Sequence, residues 1–395
     1  MNLLVRIKEK KEYIYGILFM AFPIVIQGLV FQLQSITEKV FLGNLDSMYI
    51  SALGAAQFPF GTTVDTVMAL STGVVIIVSR LSGIKEKEKF VKYVKSAIFY
   101  NSLISFVIFA MWFFFAKQIL DLLSVDKLIM DYCLSYIRIC SVCFLFIGID
   151  SSLQAMLQGL GNTKPIMYAG VLKVVLNVFF SWIFIFGHFG IKPMYIVGAA
   201  LGTVVANVSA TLMIIFYCFI VKYKEYGLHK NNKLWISFKP FKESIRLGIP
   251  TAMEFLLWNG SNLVLVKFLN EFSQEAMKIY TMVFGIEIII FAFFNGTSRA
   301  TLTLMGQKIG LEKRKEANTF FYVCTLINLI IVAISATFFV LFPTKILGIF
   351  TKEEQVISSA AIYLIFCAMI MFPKSLNVVI GSAIRAYKDT KWMLY

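Results

Sequence analysis

Amide and ionisable side chains recur at helical spacing inside long apolar stretches of this 395-residue chain. Gln27, Gln34 and Glu38 lie at i, i+7 and i+11 of one apolar run, on one face of a helix. Lys173, Asn177 and Ser181 follow at four-residue steps in another run, Thr203, Asn207 and Thr211 in the next, and Asp150, Gln154 and Gln158 in a fourth. Asp65, Glu254, Glu287 and Lys374 stand in apolar surroundings of their own. An ionisable group at membrane depth costs at least about 2.5–3.5 kcal/mol on insertion scales, so it persists where it faces a cavity or finds a partner. A carboxylate shielded from water can bind and release a proton near neutral pH, and when ionised it is a hard oxygen ligand for a small cation. Glu38 is the first candidate for such a coupling residue. Glu254, Glu287 and Lys374 form a candidate second polar site, either a proton switch or a static pair. Gln34, Asp65, Asp150, Asn207 and Trp258 are candidates for a cavity lining. For each stripe the competing reading is interhelical hydrogen bonding that holds a bundle together, and it is preferred for Gln27 and Thr211.

Other chemistries find little footing. Cys140 and Cys143 make a C-x-x-C, but all six cysteines fall in apolar runs, where they read as small packing residues. The two histidines, His188 and His229, fall in loops, which argues against a histidine-based metal site. There is no paired acidic motif for metal–diphosphate chemistry and no G-x-S-x-G nucleophile, so the chain is not expected to be an enzyme or to need a cofactor.

The elements that must position these residues are membrane helices. The chain is 59% hydrophobic and 15% charged, against about 25% charged in a soluble domain. Ten stretches reach the roughly 20 apolar residues a spanning helix requires: 13–42, 50–81, 91–115, 128–158, 165–187, 195–221, 244–269, 276–306, 317–342 and 355–384. The expected fold is an all-α polytopic bundle. The charged first dozen residues lead into a long apolar helix without a small-residue cleavage site, which reads as an uncleaved first span. The net charge of +15 does not mark a nucleic-acid binder, because the basic residues fall in alternate loops. The N-terminus, Lys85–Lys95, Lys164, the segment 222–246, Lys308–Lys315 and Arg385–Lys391 are basic, whereas 43–49, 116–127, 188–194, 270–275 and 343–354 are not. By the positive-inside rule the N-terminus is cytoplasmic, in an inner or plasma membrane.

The chain also repeats itself. The interval from Pro23 to Pro250 recurs unchanged from Gly83 to Gly310, from Asn162 to Asp389 and from Tyr168 to Tyr395. One gapless offset at separate sites implies two copies of a six-helix unit. An even number of spans per copy makes the repeats parallel. The expected division is a lobe over 1–221, a cytoplasmic linker over 222–243 and a second lobe over 244–395 with four of its six helices. Counterparts of the fifth and sixth spans are missing from the second copy, so a twelve-span parent is expected. Pro23 and Pro250 break the helical hydrogen-bond ladder at equivalent places and are candidate hinges.

Several segments together resemble a known family. They are Pro23 with Glu38-Lys39-Val40-Phe41-Leu42-Gly43; Gln158-Gly159-Leu160-Gly161-Asn162-Thr163-Lys164; Asn177 with Ile183-Phe184-Ile185-Phe186-Gly187; Gly198-Ala199-Ala200-Leu201-Gly202-Thr203; and Gly306-Gln307-Lys308-Ile309-Gly310. In this order they resemble the multidrug and toxic compound extrusion (MATE) transporters. The resemblance implies two six-helix lobes around a central cavity and exchange of Na+ or H+ for organic, often cationic, compounds by alternating access. It implies that Glu38 occupies a position where the family usually has an aspartate, with Asn177 and Thr203 around it. Ser181 departs from the pattern, since many members carry an aspartate there. Lys173 is expected to neutralise Glu38 in one state and release it in another. Lys374 falls where some branches have an acid. A monomer is expected. The alternative is a related flippase for lipid-linked saccharides, which would need a strongly basic cavity. The intramembrane charges here are mixed.

Overall fold

In a computed structural model, residues 3–84, 86–228, 236–350 and 353–394 are described. Among these residues the chain is helical throughout, without strands. The first half comprises α1 (Leu3–Gly43), α2 (Ser47–Leu70), α3 (Thr72–Ile84), α4 (Lys87–Leu122), α5 (Lys127–Ser141), α6 (Phe144–Gly159), α7 (Lys164–Phe186) and α8 (Tyr195–Phe216), which runs into a π turn at Tyr217–Val221. The short α9 (Tyr223–Tyr226) leads toward the second half. That half comprises α10 (Phe238–Phe272), α11 (Gln274–Gly310), α12 (Arg314–Leu341), α13 (Pro343–Leu347) and α14 (Glu354–Ala386). Lys230, Lys233 and His229 of the expected linker lie outside the described residues.

Two expected spans are broken helices. The second divides at Ser71, where Ser71 and Ser152 accept hydrogen bonds from the buried Asn101 amide at 3.4 and 2.9 Å. The fourth bends by 51° between α5 and α6. Such breaks are tolerated because neighbouring helices and polar side chains satisfy the freed backbone. Among the described residues, eight helical segments, with α2 and α3 taken together as one, are long and apolar enough to cross a membrane, or nine if the bent pair is one span. The difference from ten is α10. Glu254, Asn259, Ser261, Asn262 and Lys267 lower its hydropathy below that of its neighbours, although it is 35 residues long. Large apolar side chains such as Phe114, Leu122, Ile334 and Ile362 are exposed on the outer surface, as expected of a lipid-facing wall.

The repeat is visible in the backbone. Gly161 and Lys388, which share the repeat interval, both adopt a left-handed conformation, with φ of 82° and 69°. Thr163 and Thr390, next in each turn, are both buried. Left-handed backbone costs Lys388 more than it costs the glycine, so the turn geometry is retained against local preference.

The packing divides in an informative way. One core joins both halves and is built from the basic-loop ends of the helices: Ile17, Met20 and Ala21 of α1, Val74–Val78 of α3, Leu153–Leu157 of α6, Ala300–Met305 of α11 and Val379–Ala386 of α14. Toward the opposite end there are two separate cores. One uses residues between Leu42 and Ala200 only, and the other residues between Val283 and Met371 only. The halves therefore meet at the basic end and part toward the other, leaving a cleft open at the end opposite the basic loops.

Candidate functional site

The first polar cluster forms in the first half, in its own core region away from the shared one. Glu38 is 3% exposed, and its carboxylate collects three donors from three helices. Gln34 Nε2 donates to Oε1 at 3.2 Å, Gln57 Nε2 to Oε2 at 2.9 Å and Thr203 Oγ1 to Oε1 at 3.2 Å. Asn177 Nδ2 in turn donates to Thr203 Oγ1 at 3.0 Å. The four-residue step on α1 brings Gln34 under Glu38, and the close approach of α7 to α8 at Gly202 brings Ser181 and Asn177 beside Thr203. A Cβ at Gly202 would stand 2.4 Å from Ser181 Oγ, so glycine there permits the contact.

Three buried atoms around this carboxylate lack hydrogen-bond partners: Gln34 Oε1, Asn177 Oδ1 and Ser181 Oγ. Buried polar atoms are nearly always paired. Unpartnered oxygens on residues of this neighbourhood are of the type a small hard cation takes as ligands.

The structure redistributes several expected members. Lys173 does not pair with Glu38. Its ammonium stands 5.5 Å from the Phe31 ring and acts electrostatically on Asp65 and Asp150. The four-residue stripe drifts about 40° per step, enough to turn Lys173 away from the face that Asn177 and Ser181 present. Asp65 is exposed beside Lys173, and Asp150 accepts from Gln154 Nε2 at 2.6 Å. Asn207 is spent inside its own helix, donating to the Thr203 carbonyl at 2.7 Å, and Thr211 donates to the Asn207 carbonyl. Gln27 packs against Gly170 of α7. The Cys140 and Cys143 thiols are free and buried.

The expected second-lobe trio is also divided. Glu287 pairs with Lys374 across α11 and α14, but Glu254 pairs with Arg385 near the end of α14. Trp258, one turn beyond Glu254, is 51% exposed. Pro23 and Pro250 lie inside continuous helices, as do Pro59 and Pro373.

Sequence reasoning missed Gln57 and Tyr136, which share a 3.3 Å hydrogen bond beside Glu38. It also missed a symmetric closure at the basic end. Arg80 donates twice to the Ala386 carbonyl, at 2.7 and 3.1 Å. Gln307 Nε2 donates to the Gly159 carbonyl at 3.2 Å. The repeat interval carries Arg80 onto Gln307 and Gly159 onto Ala386, so these bonds are one contact used twice across a twofold relation. The glycines follow suit. A Cβ at Gly83 would stand 2.3 Å from the Gln307 carbonyl oxygen, and one at Gly310 would stand 2.3 Å from that of Arg80. Just outside the membrane, Glu243 receives hydrogen bonds from Tyr93 and from Lys388. Burial pushes its carboxyl up, but these two partners win and hold it below the ordinary carboxylate value. Glu316 is held low by hydrogen bonds from Lys308 and Lys313.

The MatE family profile matches this chain twice, over residues 23–183 and 250–395, and the two matches start at Pro23 and at its repeat partner Pro250. The chain belongs to the MatE family. It is a multi-pass membrane transporter. The uncharacterized transporter YisQ of Bacillus subtilis is 23% identical over 395 residues, covering 98% of this chain and 85% of that protein. The probable multidrug resistance protein NorM of Haemophilus ducreyi is 26% identical over 379 residues, covering 94% and 81%. The multidrug export protein MepA of Staphylococcus saprophyticus is 25% identical over 367 residues, covering 90% and 78%. Among solved structures, the fold resembles an outward-facing multidrug resistance MATE transporter with a TM-score of 0.88 at 18% identity, covering 96% of this chain and 84% of that one. A MATE structure in the straight conformation gives 0.87 at 17% identity, with the same coverage.

Proposed function

We propose that this MatE protein is a cation-coupled antiporter that exports organic compounds, with Glu38 holding the coupling ion. The observation that carries this reading is the Glu38 cluster: a buried carboxylate among neutral donors, with unpartnered oxygens on Gln34, which bonds it, and on Asn177 and Ser181 of the adjoining helix. Na+ or H+ would neutralise the single carboxylate, and the unpartnered oxygens favour Na+, which takes several oxygen ligands where a proton takes one. Serine at position 181 leaves one negative charge, enough for one monovalent ion.

The names of the relatives support drug-like cargo, since NorM and MepA are described as multidrug resistance and export proteins. The basic loops support a cytoplasmic N-terminus in the cell membrane, which makes the cleft outward-open and the Arg80 and Gln307 contacts its inner closure. A flippase for lipid-linked saccharides would need a basic cavity. Here Asp65, Asp150, Glu254 and Glu287 offset Lys173, Arg299, Lys374 and Arg385. The 1–221 and 244–395 lobes rock about that closure, each with its own outer core, and a monomer suffices for the cycle.

The test uses proteoliposomes loaded with a fluorescent organic cation, with a Na+ gradient or a proton gradient imposed separately. One gradient should drive exchange, and Glu38→Gln should abolish it while the protein still inserts. Normal gradient-driven exchange by Glu38→Gln would refute the assignment, and no exchange of any organic cation would refute the antiport reading.

A further inference from the structure

The Glu38 cluster leaves one intramembrane cation without a role. Arg299 lies on α11, three turns before the helix ends at Gly310. It is ringed by protein yet accessible to water, which places its side chain on the cleft between the halves rather than on the lipid face. Its described hydrogen bond is to a neutral partner, from Nη1 to Gln158 Oε1 at 2.8 Å on α6 of the other half. A guanidinium carries five N–H donors, and one is spent here.

The contrast with the other buried cations is informative. Among the described residues, Lys374 holds Glu287 and Arg385 holds Glu254. Lys173 stands near Asp65 and Asp150. Arg80 is committed to the Ala386 carbonyl by two bonds. Arg299 forms no ion pair with a carboxylate among the described residues. An uncompensated charge at membrane depth is costly, and such a group is retained where it pairs with something that comes and goes.

Its surroundings fit an anion. Asn295, one turn earlier on α11, is partly accessible and can donate. Ser298 and Ser382 share a hydrogen bond next to it, at 2.5 Å. Gln158, which steadies the guanidinium, ends the α6 stripe whose first member is Asp150 and whose second, Gln154, donates to that aspartate. The guanidinium therefore keeps donors to spare beside Gln158 of the other half.

We propose that Arg299 is an anion anchor of the substrate cleft, holding the carboxylate of cargo that bears one. The planar fork of arginine matches a carboxylate through two parallel N–H···O bonds. This inference rests on the export reading above and narrows its substrate class.

The test compares a rhodamine that bears a free carboxylate with the methyl ester of the same dye, by fluorescence anisotropy on the purified full chain. Arg299→Gln should weaken binding of the acid about tenfold to a hundredfold, the range for a lost charged hydrogen-bond pair. The same variant should not weaken binding of the ester. Arg299→Lys, which keeps the charge but loses the fork, should recover part of the loss. Equal weakening of both dyes would make Arg299 a structural tie and overturn the proposal. So would wild-type binding of the ester with no sensitivity of the acid to Arg299→Gln, and in that outcome the export reading stands. If the wild type binds neither dye and exports neither, both readings fall.

Discussion

Removing the Arg80 guanidinium should loosen the closed end of the cleft. Arg80→Ala deletes two hydrogen bonds to the Ala386 carbonyl and leaves that acceptor to find water or stay unpaired. A hydrogen bond from a charged donor contributes about 1.5–3 kcal/mol net. Both bonds share one acceptor and the guanidinium is partly accessible, so about 2 kcal/mol for the pair is a reasonable total. Because this contact exists only when the two halves meet, its loss falls on the closed state alone. At about 1.4 kcal/mol per factor of ten, the closed-to-open ratio should fall about 30-fold. A thiol placed at Ser79 reads that ratio. Ser79 is fully buried against Gly306 of the other half, and the six native cysteines are buried, so labelling by a maleimide reports opening of this contact. The labelling rate in Ser79→Cys should rise by about the same factor when Arg80→Ala is added, up to the rate of a freely accessible thiol. An unchanged rate, in protein that remains folded, would refute the claim that Arg80 holds the closed end.

Gln307→Ala should act in the same direction but less strongly, because a neutral donor contributes about 1 kcal/mol, and the two changes should combine in the labelling assay. Gly83→Leu or Gly310→Leu should hold the basic end open and stop transport turnover, since even a Cβ would stand 2.3 Å from a backbone oxygen across the contact. Ser181→Asp should place a second acid beside Asn177 and Thr203 and lower the Na+ concentration needed for half-maximal exchange; an unchanged Na+ dependence would remove Ser181 from the ion site. Asn101→Ala should leave the buried Ser71 and Ser152 hydroxyls without their amide partner and reduce stability by about 1–3 kcal/mol, read as a lower thermal midpoint.

The membrane class, the helical fold and the duplication were all legible in the sequence, because each rests on a pattern that survives folding unchanged. Apolar length sets span length, and a single repeat interval ties Pro23 to Pro250 and Gly83 to Gly310. The Glu38 cluster was partly legible. Helical spacing put Gln34 with Glu38 and Asn177 with Ser181, but periodicity within a helix says nothing about which neighbour the face meets. Lys173 therefore looked like a partner for Glu38, whereas drift of its stripe turns it toward Asp65 and Asp150. Gln57 went unnoticed because a lone glutamine in an apolar run has no stripe around it. Glu254 was grouped with Lys374 on depth alone, while its partner Arg385 looked like a loop charge; long arginine stems reach inward from a helix end. Arg299 carried a usable signal, a guanidinium inside a predicted span, but a lone cation there has no polar stripe around it to mark the face it serves. The broken helices at Ser71 and at Val142–Cys143 left no clear mark, since hydropathy averages over a kink.

Glu38 is the centre of this account, and ion displacement tests it most directly. Linkage requires that a substrate exchanged against an ion weaken the binding of that ion by the same factor by which the ion weakens substrate binding. Adding a saturating organic substrate to purified protein in weakly buffered solution should release Na+ or H+, followed by an ion-selective electrode. The account predicts release approaching one ion per chain in the wild type and none in Glu38→Gln, with the variant still binding the substrate. Release that persists undiminished in Glu38→Gln would place the coupling ion elsewhere and contradict the account.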